Sequence, residues 1–179
     1  VYCKVNSGSI SVVRANLYFR KYLSTTMAKV VVGGTFECLH DGHRELLRTA
    51  FELADGGEVD IGLTSNEMAN KRDRKVADYS LRKSLLLGYL EEIARNNTDY
   101  TIVELNGPYG KTLDEDYDYI VVSPETYPVA LKINRIRAEK NMAPLRIVEV
   151  DFVLADDEKR ISSTRIIHGE MDIHGHMIS

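Results

Sequence analysis

A chain of 179 residues with 44% apolar and 28% charged side chains can form one domain with a normal core, and is too short for two typical ones. No stretch approaches ~18 uninterrupted apolar residues, which excludes a membrane-spanning helix. The net charge of −4 is unevenly spread: residues 1–26 carry Lys4, Arg14, Arg20 and Lys21 with no acid, which leaves 19 bases against 27 acids, a net of −8, from Met27 onward.

An acidic body argues against nucleic acid as a partner, because nonspecific binding needs a basic face. Cys3 and Cys38 provide neither a disulfide framework nor metal-ligand spacing, so a reducing, cytoplasmic setting is expected. The first 26 residues, rich in Ser and Thr, read as an extension outside the fold, upstream or non-native sequence preceding Met27. A targeting peptide is the alternative.

From Met27 strands and helices alternate. Lys29–Gly34 is a continuous apolar run ended by glycine, the pattern of a buried strand. Gly42–Ala54 has helical spacing, Gly56 and Gly57 stop it, and Glu58–Thr64 is a second strand. A polar, basic stretch holding Lys71, Arg72, Arg74 and Lys75 precedes a long helix from about Tyr79 to Asn96. Its expected buried stripe is Leu81, Leu85, Tyr89 and Ile93, with Leu86 and Leu90 beside it. Residues 98–106 predict a third strand, 107–118 a loop, 119–123 a fourth strand and 125–141 a helix. Leu145–Leu154 predicts a fifth strand, and the stretch from Ser162 a short last helix. Apolar, non-alternating strands between helices predict an α/β fold, a doubly wound five-stranded parallel sheet covered on both faces. In such sheets the ligand crevice lies beyond the carboxyl ends of the strands.

The stretch GGTFECLHDGH (33–43) ends the first strand, where that crevice would be. Gly33 and Gly34 let backbone amides approach a ligand, and the Thr35 hydroxyl can donate to a phosphate oxygen. His40 and His43, three apart at a helix start, project from one face near its N-terminus, where free amides favour an anion. Together these groups point to a phosphate chain. A zinc site is the weaker reading, since the pair supplies two ligands and no Cys or Glu partner is evident. GPYGKT (107–112) is rejected as a phosphate loop because Leu105 stands where that pattern needs glycine, and HGH (174–176) reads as a polar tail rather than a metal site.

GGTFECLHDGH resembles the first signature of the nucleotidyltransferase superfamily, and RISSTRI (160–166) resembles its second. The intervening VVSPETYPVALKINRIRAEK (121–140) resembles the archaeal and eukaryotic type of phosphopantetheine adenylyltransferase, and the likeness runs from about Lys29 to Met177. One departure is Glu37, where the usual pattern has Asp. The resemblance implies a Rossmann-like nucleotidyltransferase fold and transfer of the adenylyl group of ATP to 4'-phosphopantetheine. The products would be dephospho-coenzyme A and pyrophosphate, with magnesium delivered on ATP. It implies catalytic roles for His43, His40 and Lys71, and nucleotide binding by Gly33, Gly34, Thr35, Phe36, His40, His43, Ser162, Ser163, Thr164 and Arg165. Substrate binding would fall to Thr35, Lys71, Arg72, Asn134, Arg135 and Arg137. Of the last three, helical spacing forbids a single shared face. No membrane partner and no dedicated protein metal site is expected. Two other readings stand beside this one: a cytidylyltransferase acting on a small phosphorylated alcohol, and a non-catalytic sensor of adenine nucleotide or coenzyme A.

Overall fold

A computed structural model describes residues 27–71, 75–94 and 98–178. The extension 1–26, with Arg72 and Arg74, lies outside the described residues. The elements run in chain order as strand β1 (Lys29–Gly34), helix α1 (Asp41–Ala54), β2 (Glu58–Thr64), the one-turn α2 (Asn66–Ala69) and α3 (Tyr79–Ile93). Then come β3 (Asp99–Leu105), a 3-10 turn (Gly110–Leu113), β4 (Tyr119–Val122), α4 (Tyr127–Glu139), β5 (Arg146–Glu149) and α5 (Ser163–Ile167). All four strand pairings are parallel and the order is β3-β2-β1-β4-β5. Connections run outward in both directions from β1 and β4, so the switch point lies between them, at the end of GGTFECLHDGH.

Alternation along β1 and β2 divides the molecule into two layers. Val30, Val32, Val59, Ile61 and Leu63 face α1 and α3 and form the larger core with Leu47, Phe51, Leu86 and Leu90. Ile120 and Val122 of β4 face the other way, onto Ala130 and Ile133 of α4, with Tyr117 and Leu145 closing that layer. Among the described residues no helix is long and apolar enough to cross a membrane.

Three differences from the sequence reading have physical causes. Along α3 the buried residues are Arg82, Leu86, Tyr89 and Leu90, whereas Leu81 and Leu85 are half exposed. The helix is turned by one position because Arg82, 1% exposed, occupies the inward place. It donates to the carbonyls of Thr35 (3.1 Å) and Ala77 (2.8 Å) and to Thr64 Oγ1 (3.2 Å). The fifth strand pairs only over Arg146–Glu149, after which the chain leaves the sheet and folds back at an isolated bridge between Leu154 and Arg160. The polar tail is docked rather than frayed. Met171 is fully buried with Ala155 and Ile161, Met171 bridges Met177, and the Ile173 carbonyl accepts the Asp41 amide at the start of α1 (3.0 Å).

Candidate active site

β1 delivers residues 33–35 to the sheet edge, and the chain then turns sharply. Phe36, Cys38 and Leu39 all adopt left-handed backbone (φ 49°, 60° and 31°), a conformation L side chains rarely hold unaided. The space a Cβ on Gly34 would take is filled by the Phe36 ring, 3.1–3.3 Å away, so glycine is required there by packing from below. Phe36 is itself 1% exposed and meets the His43 ring edge-on (centroids 5.4 Å). The Phe36 ring is therefore core and supports the histidine, which leaves its backbone as the part able to meet a nucleotide.

His40 caps the start of α1, and His43 follows one turn later. The two imidazoles stack with centroids 3.9 Å apart and planes 22° from parallel. The His40 Nδ1 is buried and has no hydrogen-bond partner among the described residues. Burial depresses the His40 pKa to about 4, and the neighbouring Asp41 carboxylate only partly offsets this. His40 is accordingly neutral at pH 7 in the ligand-free chain.

The second motif arrives from 120 residues further along and is fastened to the first. Ser163 Oγ, buried, donates to the Glu37 carbonyl at 2.6 Å. The Glu37 carboxylate in turn accepts the Ala77 amide (3.1 Å), tying the turn to the approach to α3 as well. Ser162 caps α5, its Oγ accepting the Arg165 amide. His40, His43 and residues 162–165 consequently line one cleft of ≈ 530 Å³, whose opposite wall includes Ser123, Glu125 and residues 150–153.

The individual donors are placed less uniformly than the motif suggests. The Ser163 hydroxyl is committed to Glu37, so only its backbone can serve a ligand. Arg165 is bound to Asp157 (2.7 Å) and Glu170 (2.8 Å) and donates to the Arg160 carbonyl, which makes it first a brace of this loop. That pairing holds the Asp157 carboxyl below the usual carboxylate range. Thr164 is exposed at the cleft. The cation that sequence reasoning missed is Arg160, which lines the cleft, lies 5.1 Å over the Phe152 ring and pairs with Glu125 at 2.5 Å. Its signal was its place as the first residue of the second motif, RISSTRI (160–166).

Gly33, Gly34 and Thr35 line a different cavity of ≈ 350 Å³ on the α4 face of the sheet, walled mainly by apolar side chains. Met68 lines its mouth, and Lys71, exposed a few residues beyond, lines neither cavity. Three expected substrate contacts are not brought to either cavity. Asn134 exchanges both amide hydrogen bonds with the backbone of Leu145 (2.8 Å each), joining α4 to the start of β5. Arg135 is almost fully exposed beside Glu139. Arg137, 0% exposed, donates to the carbonyls of Ala143, Thr112 and Glu115 and pairs with Asp116, so it is a buried staple between α4 and the 3-10 turn.

A parallel sheet with a histidine pair and a hydroxyl-bearing helix start at its switch point defines the nucleotidyltransferase class. The cytidylyltransferase-like family model matches residues 31–169. Curated phosphopantetheine adenylyltransferases from Methanosarcina barkeri and Archaeoglobus fulgidus are 54% and 46% identical. Each covers 84% of this chain, and 93% and 99% of the relative's own length. A crystal structure of a protein of unknown function from Archaeoglobus fulgidus matches with TM-score 0.62 at 44% identity, over 69% of this chain and 98% of that one. The chain belongs to the cytidylyltransferase-like family and, within it, to the phosphopantetheine adenylyltransferases.

Proposed function

We propose that this protein transfers the adenylyl group of ATP to the phosphate of 4'-phosphopantetheine, giving dephospho-coenzyme A and pyrophosphate. The observation that carries the reading is the Ser163–Glu37 hydrogen bond. It joins two segments over 120 residues apart, so that imidazoles and hydroxyl-bearing loop face a single cleft with room for a nucleotide.

The nucleophile is a phosphate, already anionic at neutral pH, so no general base has to be found. The task of the chain is to align two anions that repel one another and to stabilise charge on the α-phosphoryl group during in-line displacement. His43 contacts that phosphoryl group, and His40 donates beside it. The backbone of Ser163 and Thr164, with the Thr164 hydroxyl and Arg160, holds the β- and γ-phosphates. Thr35, which lines the apolar cavity, orients the incoming phosphate, with Lys71 of the turn after α2 as its cationic partner. The apolar cavity on the α4 face takes the pantetheine arm. Among the described residues no three His, Cys, Asp or Glu side chains gather around one point. Magnesium would enter with the substrate, on the phosphates of ATP, and would supply further charge neutralisation there.

A panel of ATP or CTP against several phosphorylated acceptors, read by pyrophosphate release, tests this. Release with ATP plus 4'-phosphopantetheine and not with CTP is expected. A productive pairing of CTP with a polyol phosphate alone would replace the substrate assignment, and no turnover with any pair would favour a sensor.

A further inference from the structure

The cavity on the α4 face has a polar far end that the reaction itself does not require. Its mouth is at Thr35 and Thr64, and its floor runs back along β2 past Gly62 to Asp60. The four residue steps from Thr64 back to Asp60 span roughly 13 Å. Gly62 keeps the channel narrow and smooth, since a Cβ there would lie 2.7 Å from Leu105 Cδ1. Asp60, 8% exposed, is a carboxylate on an otherwise apolar floor. The Tyr117 hydroxyl donates to its Oδ2 at 2.6 Å, and Lys111 Nζ is 3.8 Å from the same oxygen. Burial and the adjacent carboxylate push the Tyr117 hydroxyl up, so it stays a donor. Lys111, from the stretch rejected as a phosphate loop, is shared with Glu115 at 3.1 Å, so the charge of Asp60 is only partly offset.

A carboxylate on a cavity wall has acceptor sites beyond the one that Tyr117 occupies, and a ligand meeting it there needs donors. The arm of 4'-phosphopantetheine offers suitable ones, two amide N–H groups and a terminal thiol on an uncharged chain. We propose that Asp60, held by Tyr117 and Lys111, reads the far end of the acceptor, taking a hydrogen bond from its distal amide or thiol and rejecting acceptors that end in a carboxylate. The inference rests on the transfer reaction proposed above and assigns the residue that sets acceptor choice within it.

The test uses the full chain, with ATP and either 4'-phosphopantetheine or 4'-phosphopantothenate, which shares the phosphate end but terminates in a carboxylate. In Asp60→Asn the KM for 4'-phosphopantetheine should rise about 5- to 20-fold with kcat and the KM for ATP within about twofold, as expected for one lost charge-assisted hydrogen bond. Turnover of 4'-phosphopantothenate should improve, so the preference between the two acceptors should fall by on the order of 100-fold. Lys111→Ala, at a half-exposed site, provides the opposite sign without threatening the core. Removing the partial neutraliser should sharpen the preference about threefold or more. An unchanged preference in Asp60→Asn overturns the proposal, and should that variant not fold, an unchanged or weakened preference in Lys111→Ala does so. Absence of pyrophosphate from the wild-type chain with ATP and 4'-phosphopantetheine would instead remove the transfer reaction itself.

Discussion

Acid should destabilise this protein partly through one residue, and the share is calculable. His40 has its pKa held at about 4 in the folded chain by burial, against 6.5 for an ordinary imidazole. Between those values the unfolded chain takes up a proton that the native one refuses. Stability contributed by the neutral ring is therefore fully present above about 6.5, falls as the pH drops through this window and levels off below about 4. At about 1.4 kcal/mol per decade of affinity, the gap amounts to roughly 3 kcal/mol in full, and roughly 2 kcal/mol at pH 5. Against a typical stability of about 5–15 kcal/mol that loss is readily measured. Urea unfolding at pH 7.5 and 5.0 should show the wild type losing roughly 2 kcal/mol more than His40→Gln, which cannot titrate in this range. Equal losses in the two proteins would refute the claim that His40 is buried as the neutral base.

Three further outcomes follow from the same structure. His43→Ala should lower kcat by about 10²–10³-fold while ATP affinity stays within about tenfold, since a donor aimed at the developing charge acts on the transition state; stopped-flow nucleotide binding together with steady-state turnover separates the two. Ser163→Ala should cost about 1–3 kcal/mol in unfolding free energy, because the Glu37 carbonyl is left buried without its donor, and should also raise the KM for ATP, because the two motifs lose their fastening. Arg137→Met should be destabilising by about 3 kcal/mol or more in chemical denaturation, yet the folded fraction should keep its wild-type KM for 4'-phosphopantetheine, since the guanidinium serves backbone carbonyls and touches neither cavity.

Periodicity made the strands and their parallel pairing legible, because a strand covered on both faces is a continuous apolar run whatever packs on it. The histidine pair and the hydroxyl run were legible for a similar reason, being local patterns with a local chemical meaning. What escaped the sequence depends on partners far along the chain. Arg82 shares helical spacing with Leu86 and Leu90, but nothing nearby tells that a cation belongs inward until the Thr35 carbonyl and Thr64 hydroxyl stand opposite it. The family resemblance of its segment marks Arg137 as a substrate ligand. Its burial became visible only with the 3-10 turn packed against α4. Ser163 illustrates the same limit in miniature. The motif announces a hydroxyl, and the fold spends it on a carbonyl 126 residues away.

The geometry of the turn explains why the two motifs have to come as a pair. Three non-glycine residues with positive φ store on the order of 1–3 kcal/mol each. Glycine would relax them, but glycine at 36 or 39 would forfeit the Phe36 contact under His43 and the burial of Leu39. The strain is instead opposed by bonds from four directions: Ser163 on the Glu37 carbonyl, Ala77 on the Glu37 carboxylate, Arg82 on the Thr35 carbonyl and Arg44 on the Leu39 carbonyl. Each contributes about 1 kcal/mol net, so no single one suffices and the turn is held by all of them together with the burial of Phe36 and Leu39. The imidazole stack is thus fixed by α3 and α5 before any substrate arrives. Donors already in place lose no free energy to reorganisation as charge builds on the phosphoryl group, which is how a site without a general base can still accelerate the reaction.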